Sequence, residues 1–208
     1  MEALLSRLLP ATRKLDADGR LTSELAPGFD GYSALFVIDL EMSGSNAQTH
    51  EVLDIGGVVA ELRLGLPERE SWGARVRPKH IGNGELGALK VVGYSPKAWK
   101  TAIELDAAMD RMTRVGRDAV LTGWGIGQDM AFIVESLKRL NRPWPFAPVA
   151  IDVQTIARAV LTGTGDVDRF NLGHVADRLG IGRLGEHGAL ADAYATYDVL
   201  LKLLERPS

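Results

Sequence analysis

The sequence predicts a mixed α/β fold in which helices flank a single sheet. Three apolar segments joined by short turns come first, at residues 35–41, 51–64 and 71–78, and they predict an antiparallel meander. Within the second segment, Gly56 and Gly57 indicate a bulge or a close backbone approach. Two further apolar segments then alternate with helical patterns, which is typical of parallel strands in such a sheet. These later strands are apolar throughout, so helices should cover both faces of the predicted five-stranded sheet.

Length and composition are those of an ordinary globular protein. The chain has 208 residues, 46% hydrophobic and 25% charged, enough for one domain with an apolar core. Its net charge of −3 provides no strong basic field for long nucleic acids, although a locally basic groove is compatible with it. The absence of cysteine excludes disulfides and cysteine-ligated metals. No segment reaches the ~18 apolar residues of a membrane span, so we expect no membrane association and a cytoplasmic location.

The first 31 residues are predicted to be an N-terminal extension, followed by one domain over residues 32–208. Residues 3–9 form a short helical pattern that Pro10 ends, and residues 26–31 are typical of a loop. Early acidic residues and the lack of a long apolar stretch argue against a secretory signal. A packing arm or disordered leader on the one hand, and a specific role on the other, are equally compatible with this extension.

Helices and strands alternate after the meander. Strands are predicted over residues 119–124 and 149–154, and helices over residues 94–112, 129–141, 155–161, 171–180 and 189–205. Ser95 is the predicted N-cap of the first helix, with Pro96 at its first position. Asn171 is the predicted cap of the fourth helix, which Gly180 ends.

Two carboxylates close the first predicted strand. Asp39 and Glu41 are two residues apart, so their side chains point to the same face of the sheet. Two such charges repel each other and favour protonation of one of them, whereas a bound cation keeps both ionised. Carboxylate oxygens are hard ligands that favour Mg²⁺ or Mn²⁺. The alternative is a solvated pair of acids at the end of a strand.

Two more acidic residues lie at the start of predicted helices. Asp129 follows a glycine-rich turn, which on its own is a weak phosphate-loop signal. Its alternative role is that of an N-cap or first-turn acid favoured by the helix dipole. Asp192 lies in the first turn of the last helix, which is apolar almost all round and should be largely buried. A carboxylate at the edge of a buried helix requires a partner or a metal.

Histidine offers a candidate proton acceptor. His187 precedes Asp192 by five residues, a spacing that does not place both on one helical face. We therefore expect His187 on the loop that enters the last helix, from which it can swing over a site formed by the acids. His50, His80 and His174 have no such setting and are interpreted as surface or packing residues.

Three stretches of the chain carry a family resemblance: FVIDLEMSG, LTGWGIGQDMAF and NLGHVADRLGI…GEHGALADAYATYDVLLKL. In order and spacing they resemble the three motifs of the DEDDh family of 3′→5′ exonucleases, and the resemblance extends over roughly residues 34–205. It implies an RNase H-like fold. Residues 39–42, DLEM, are particularly similar to the oligoribonucleases of that family.

The resemblance also implies a catalytic site. Its metal-binding carboxylates would be Asp39, Glu41, Asp129 and Asp192. They would hold two divalent ions, Mg²⁺ or Mn²⁺, in a two-metal mechanism. His187 would be the general base of a reaction that releases 5′-mononucleotides.

Substrates and partners follow from the same resemblance. Met42, Ser43 and Gly44 would meet the terminal nucleotide, with the Met42 side chain either against the last base or packed in the core. Single-stranded 3′ ends of DNA or RNA, or short oligonucleotides, would be the substrates, and a homodimer or a larger nucleic-acid-processing complex is compatible with them. Trp124 and Gly188 depart from residues common in the family, which leaves the substrate open. Two alternatives are an inactive exonuclease-like binding module and a metal hydrolase of small phosphoesters.

Overall fold

The computed structural model describes residues 32–163, 165, 167–182 and 188–205, together with the backbone of two short strands before residue 32. The strands are β1 (Thr12–Leu15), β2 (Leu21–Leu25), β3 (Ala34–Met42), β4 (Val52–Glu61), β5 (Glu68–Arg75), β6 (Val120–Gly123) and β7 (Val149–Asp152). The α-helices are α1 (Leu86–Val92), α2 (Leu105–Val115), α3 (Gly127–Arg139), α4 (Val153–Leu161), α5 (Leu172–Arg178) and α6 (Ala189–Glu205). The strands form one sheet in the order β2-β1-β7-β6-β3-β4-β5.

Five of these strands form the mixed sheet that the sequence predicts. β3, β4 and β5 are antiparallel neighbours. β6 lies on the other side of β3 and parallel to it, and β7 continues the sheet parallel to β6. The antiparallel meander followed by parallel strands is therefore confirmed.

The N-terminal segment adds two strands that the sequence analysis did not predict. β1 pairs antiparallel with β7, and β2 pairs antiparallel with β1. The helix predicted over residues 3–9 and the loop predicted over residues 26–31 lie outside the described residues. β1 and β2 are only four and five residues long, and β1 pairs with a strand far along the chain, so their own sequence carries little strand signal. The domain boundary after residue 31 stays a prediction.

The centre of the sheet is apolar on both faces. Along β3, Leu35 and Val37 pack towards α4, α5 and α6, whereas Phe36 and Ile38 pack towards α2 and α3. All four side chains are fully buried, and burial of each stabilises the fold by about 1.5–3 kcal/mol. Helices therefore cover both faces, as predicted. No helix in the described ranges has the length and apolar character needed to cross a membrane.

The helix predicted over residues 94–112 is wrong in its first half. α2 begins only at Leu105. Ser95 does make the predicted capping bond, because its Oγ accepts from the N–H of Ala98 at 3.1 Å, but the turns that follow it do not continue into a helix. Trp99 is buried within these turns and donates its indole N–H to the carbonyl oxygen of Leu53 at 3.0 Å. This tertiary anchor holds the segment against β4 and outweighs its local helical pattern.

Local signals do set the ends of two other helices. The Oδ1 atom of Asn171 accepts a hydrogen bond from the N–H of His174 at 2.9 Å, which confirms the predicted cap of α5. Gly180 follows the end of α5 with a φ of +71°, a conformation that glycine adopts without strain. α1, which the sequence analysis did not predict, ends in the same way at Gly93.

Candidate active site

The end of β3 carries a cluster of three carboxylates. Asp39 and Glu41 alternate with Leu40, and so face the same side of the sheet. Asp192, in the first turn of α6, joins them from a distant part of the sequence. One carboxylate oxygen of each of these three acids lies within 4.8 Å of the other two. The fold thus brings together three of the four carboxylates that the sequence analysis selected.

A glycine allows α6 to approach the sheet closely. Gly56 of β4 lies opposite Asp39 in the β3–β4 ladder. A Cβ atom on Gly56 would lie 2.1 Å from both the carbonyl carbon of Ala189 and the amide nitrogen of Leu190, so any side chain there would collide with the helix backbone. The close backbone approach predicted for this part of β4 is confirmed, and it sets the height of Asp192 above the sheet.

Another acidic side chain, Asp54, supports the start of α6. It lies opposite Glu41 in the ladder and accepts a hydrogen bond from the N–H of Ala189, the first residue of the helix. Burial raises the pKa of Asp54, and the hydrogen bond from Ala189 opposes that rise. The sequence analysis missed Asp54. The available signal was a single charged residue in the otherwise apolar run at residues 52–60.

Asp129 lies beside the three-carboxylate cluster and is held by the backbone of β3. Only 6% of Asp129 is exposed, and its Oδ1 atom accepts a hydrogen bond from the N–H of Leu40 at 3.0 Å. Leu40 stands between Asp39 and Glu41, so Asp129 adjoins both of them without belonging to the 4.8 Å group. It occupies the first turn of α3, as predicted.

The turn before α3 is fixed from the neighbouring strand β7. Gly125 has a φ of +66°, and its N–H donates to Oδ1 of Asp152 at 3.0 Å. The same oxygen accepts from the N–H of Gln154 at 3.0 Å and thereby caps α4. Asp152 thus ties the end of β7 to the turn that leads to Asp129. The sequence analysis placed this acid within a strand and gave it no role.

The clustered carboxylates strengthen one another's affinity for protons. Burial raises the pKa of Asp39 well above its ordinary value, and four neighbouring carboxylates raise it further. From the largest effect to the smallest, these neighbours are Asp129, Glu41, Asp192 and Asp54. Burial also raises the pKa of Asp129 to about 7, against the hydrogen bond from β3.

This donor set fits a divalent metal centre. Closely spaced carboxylates with raised pKa values require a proton or a cation to offset their charge. Mg²⁺ and Mn²⁺ prefer carboxylate oxygens to nitrogen or sulfur ligands. Three such oxygens within 4.8 Å of one another, with a fourth acid adjoining them, satisfy that preference.

The predicted general base lies outside the described residues. His187 immediately precedes Gly188, the residue before α6, and its position relative to the carboxylates stays a prediction. The interpretation of the other three histidines as surface or packing residues agrees with their burial. His50 is buried, His174 is half-buried and His80 is exposed.

Three residues predicted to meet a nucleotide follow the carboxylate pair. Met42 is half-buried and packs against the apolar cluster under α2 and α3. Ser43 is 1% exposed; its N–H donates to the carbonyl oxygen of Glu51 at 2.8 Å, and its Oγ accepts from the N–H of Glu51 at 2.9 Å. Gly44 lies against the ring of His50. Ser43 therefore has a structural function, and contact of these residues with a nucleotide stays a prediction.

The sequence is similar to those of exonucleases. A family model with the description "Exonuclease" matches residues 36–200. The chain is 27% identical over 169 residues to the DNA polymerase III subunit epsilon of Aquifex aeolicus (strain VF5), across 81% of this chain and 79% of that protein. It is 26% identical over 176 residues to a Mycobacterium tuberculosis (strain CDC 1551 / Oshkosh) protein whose name describes a bifunctional exonuclease/endonuclease, across 82% of this chain but only 26% of that protein.

Solved structures share the fold. Escherichia coli exonuclease I in complex with a dT13 oligonucleotide superimposes with a TM-score of 0.70 at 18% identity, over 81% of this chain and 40% of that chain. The zinc-bound form of the same enzyme with single-stranded DNA gives a TM-score of 0.69 at 17% identity, over 80% of this chain and 39% of that chain. The chain thus spans about two fifths of exonuclease I. The likeness confirms the expected RNase H-like sheet and its flanking helices.

Proposed function

Because the chain belongs to the exonuclease family, and its resemblance to the DEDDh-type enzymes is confirmed, we propose that it is a metal-dependent 3′→5′ exonuclease. It hydrolyses phosphodiester bonds at the ends of DNA or RNA and releases 5′-mononucleotides. One observation carries the proposal: Asp39, Glu41 and Asp192 converge from β3 and α6 to within 4.8 Å. An inactive binding module has no need to gather half-buried carboxylates that repel one another.

Four carboxylates hold two divalent ions in the proposed site. Asp39, Glu41 and Asp192 form the ligand set of one ion, because their oxygens already lie together. Asp129 adjoins Asp39 and supplies the second site with it. When bound, two such ions offset the negative charge of the phosphoryl group and stabilise the attacking and leaving oxygens. Ions held by the four carboxylates would bind the scissile phosphate at the end of β3.

His187 accepts the proton of the attacking water in this proposal. An imidazole changes its charge between about pH 5 and 8, so it can serve as a base near neutral pH. The chain places His187 one residue before Gly188, and the carbonyl oxygen of Gly188 accepts from the N–H of Asp192 at 3.1 Å. That adjacency is the support for its role.

The proposed substrate is a single-stranded 3′ end of DNA or RNA, or a short oligonucleotide. Exonuclease I, which shares the fold, has been solved with single-stranded oligonucleotides. A half-buried cluster at a strand end suits the unpaired terminus of a single strand. A homodimer, a larger nucleic-acid-processing complex and a cytoplasmic location stay part of the proposal.

Digestion of labelled oligonucleotides tests this function. We expect a 5′-labelled single strand to shorten stepwise in Mg²⁺ or Mn²⁺, and a 3′-labelled strand to release labelled mononucleotide at once. Matched DNA and RNA strands and dinucleotides reveal the substrate class. Binding without shortening would identify an inactive module, and turnover of mononucleotide phosphoesters alone would identify a different hydrolase.

Two variants separate the roles of metal and base. Asp39→Asn should abolish activity and weaken Mn²⁺ binding in calorimetry, because Asp39 is the acid shared by both proposed ions. His187→Ala should lose about 10²- to 10⁴-fold in rate, the range of general-base catalysis, with Mn²⁺ affinity retained. Asp198→Asn, on α6 but outside the cluster, is the matched control and should change neither. Unchanged Mn²⁺ affinity in Asp39→Asn would contradict the metal site.

A further inference from the structure

The loop between β3 and β4, residues 43–51, follows the proposed ligand Glu41 directly and is held by internal hydrogen bonds. Its two ends are joined through Ser43 and Glu51. At its centre the N–H of Gln48 donates to Oδ1 of Asn46 at 2.9 Å. This β3–β4 loop contains Ser43 and Gly44, two of the residues that the family resemblance predicts to meet the terminal nucleotide.

The imidazole of His50, near the end of the β3–β4 loop, packs against the first half of the same loop. His50 is 8% exposed. A Cβ atom on Gly44 would lie 2.5 Å from Nδ1 and Cε1 of His50, so the imidazole packs flat against the glycine backbone. The Nδ1 atom accepts a hydrogen bond from the N–H of Asn46 at 2.9 Å. One imidazole therefore sets the position of both Gly44 and Asn46.

The hydrogen bond from Asn46 determines the tautomer of neutral His50. A ring nitrogen accepts a hydrogen bond only when it carries no proton, so the proton of the neutral ring is on Nε2. Nε2 lies 3.7 Å from Oε1 of Glu85, which also accepts from the N–H and Oγ of Ser45 at 3.1 and 3.0 Å. A second proton on His50, at Nδ1, would strengthen the ion pair between His50 and Glu85. It would also point at the backbone N–H of Asn46, so the hydrogen bond between Asn46 and Nδ1 would be lost.

α3 holds the remainder of the loop by bonds that do not depend on this proton. The guanidinium of Arg139 donates to the carbonyl oxygens of Ala47 at 2.7 Å and Gln48 at 2.9 Å. The side chain of Gln128, the neighbour of Asp129, donates to the carbonyl oxygen of Ser45 at 3.2 Å. The loop is thus attached to the helix that carries a proposed metal ligand, and the Asn46–His50 bond is its protonation-sensitive contact.

We propose that neutral His50, protonated on Nε2, is a positioning residue that holds residues 44–46 in the conformation that receives the 3′-terminal nucleotide, and that protonation of His50 releases them. This inference rests on the proposed exonuclease function. The charged groups that face His50 are Glu85 from the start of α1 and Arg139 from α3, whose guanidinium also lies 3.4 Å from the carbonyl oxygen of His50. The carboxylate of Glu51 instead accepts from the backbone N–H groups of Lys79 and His80.

Steady-state kinetics between pH 5.5 and 8.5 on a single-stranded oligonucleotide, at saturating Mg²⁺, tests the proposal. The wild-type KM should rise about five- to ten-fold towards acidic pH, the effect of one lost hydrogen bond. His50→Asn places at the Nδ1 position an acceptor that cannot be protonated but lacks the ring against Gly44, so its KM should change less with pH than the wild-type KM. His50→Phe fills the ring space without an acceptor, so its KM should be high at every pH while kcat stays within about two-fold.

The variants distinguish loop positioning from other effects. His50→Asn keeps all four carboxylates, so a pH effect common to it and the wild type belongs to the metal site. If His50→Phe does not fold, the difference between the pH profiles of His50→Asn and the wild type still decides. Equal pH profiles of KM for His50→Asn and the wild type, or a fall in kcat with unchanged KM, would overturn the role of His50 and leave the proposed exonuclease function standing. A wild-type protein that shortens no oligonucleotide at any pH overturns the proposed function, and the role of His50 with it.

Discussion

Asp129 and Asp192 occupy the same position in two different helices, the first turn, and reach the same end of β3 by different means. Asp192 is placed by packing, because the backbone of α6 rests directly on Gly56. Asp129 is placed by a hydrogen bond from the N–H of Leu40, in a setting where only 6% of it is exposed. The position of Asp192 thus depends on a close backbone contact, and that of Asp129 on a hydrogen bond in a buried setting.

Burial makes Asp129 the electrostatically costly member of the pair. Its pKa is raised to about 7, so without a cation its ionised form opposes folding near neutral pH. In the unfolded chain an aspartate titrates near ~3.9. Between these values the folded state binds the additional proton, and the free energy of unfolding of the metal-free protein therefore falls as the pH rises from about 4 to 7. Metal binding requires ionised acids, so the site retains Asp129 although its ionised form lowers the free energy of unfolding of the metal-free protein.

The largest expected effect separates activity from stability at Asp129. Asp129→Asn removes the charge but keeps an oxygen that accepts from Leu40. Activity should fall by more than about 10³-fold, because a metal ligand is lost. The Tm of the metal-free protein at pH 8 should rise by about 2–8 °C, the shift that 1–2 kcal/mol produces in a chain of this size. Differential scanning calorimetry at pH 5 and pH 8 measures this change.

The pH dependence is the control for that prediction. At pH 5 the wild-type carboxyl is largely protonated, so the variant and the wild type should have similar Tm values. A variant that is less stable than the wild type at pH 8 would show that the ionised carboxylate is already well compensated in the metal-free protein.

The next effect concerns the contact between Gly56 and the backbone of α6, which positions Asp192. Gly56→Ala would put a Cβ atom 2.1 Å from the backbone of Ala189 and Leu190, which no rotamer change can relieve. We expect destabilisation by about 1–3 kcal/mol, as for other overpacked cores. Activity should fall about 10²-fold, because a displacement of roughly 1 Å moves a proposed ligand out of place. Thermal unfolding and oligonucleotide digestion measure the two effects.

Gly73→Ala is the matched control for the close contact. Its Cβ atom would lie 3.1 Å from the side-chain Cβ of Leu190, on the same helix. A few tenths of an ångström of movement would relieve that contact, so the loss of activity should be small. Equal effects of the two substitutions would mean that the height of α6 does not depend on the backbone contact at Gly56.

The four candidate ligands could be predicted from the sequence because each has a recognisable local pattern. Asp39 and Glu41 show the two-residue alternation of a strand end, and Asp129 and Asp192 lie at helix starts. The residues that position these ligands could not be predicted. Asp54 and Asp152 act through hydrogen bonds to Ala189 and Gly125, which are distant in the chain and become visible only when the strands are in place.

The same limit explains the errors in the fold. The sheet was predictable because its central strands are continuous apolar runs bounded by turns. The start of the helix predicted at residues 94–112 was wrong because Trp99 is anchored to Leu53, a tertiary contact that overrides local propensity. β1 and β2 were missed because both are short, and because β1 joins the sheet through β7, which follows more than a hundred residues later.

The smallest expected effect tests whether the charge of Asp54 or its hydrogen bond fixes the geometry at the start of α6. Asp54→Ala removes the acceptor of the Ala189 N–H, and loss of such a cap costs about 1 kcal/mol. Asp54→Asn keeps an acceptor but removes a charge that raises the pKa of Asp39. We therefore expect Asp54→Ala to lower Tm by about 2–4 °C and activity several-fold, and Asp54→Asn to stay near the wild type in both.

Asp152→Ala gives the corresponding test on the other side of the site, because Asp152 holds the Gly125 turn in front of Asp129. If packing alone places Asp192 and hydrogen bonding places Asp129, loss of the Asp152 acceptor should reduce activity more than loss of the Asp54 acceptor. The reverse order, measured by digestion of one oligonucleotide under identical Mg²⁺, would mean that the cap at Ala189 rather than the contact at Gly56 fixes α6. In that case Gly56 only permits the approach of α6, and Asp54 determines where it stops.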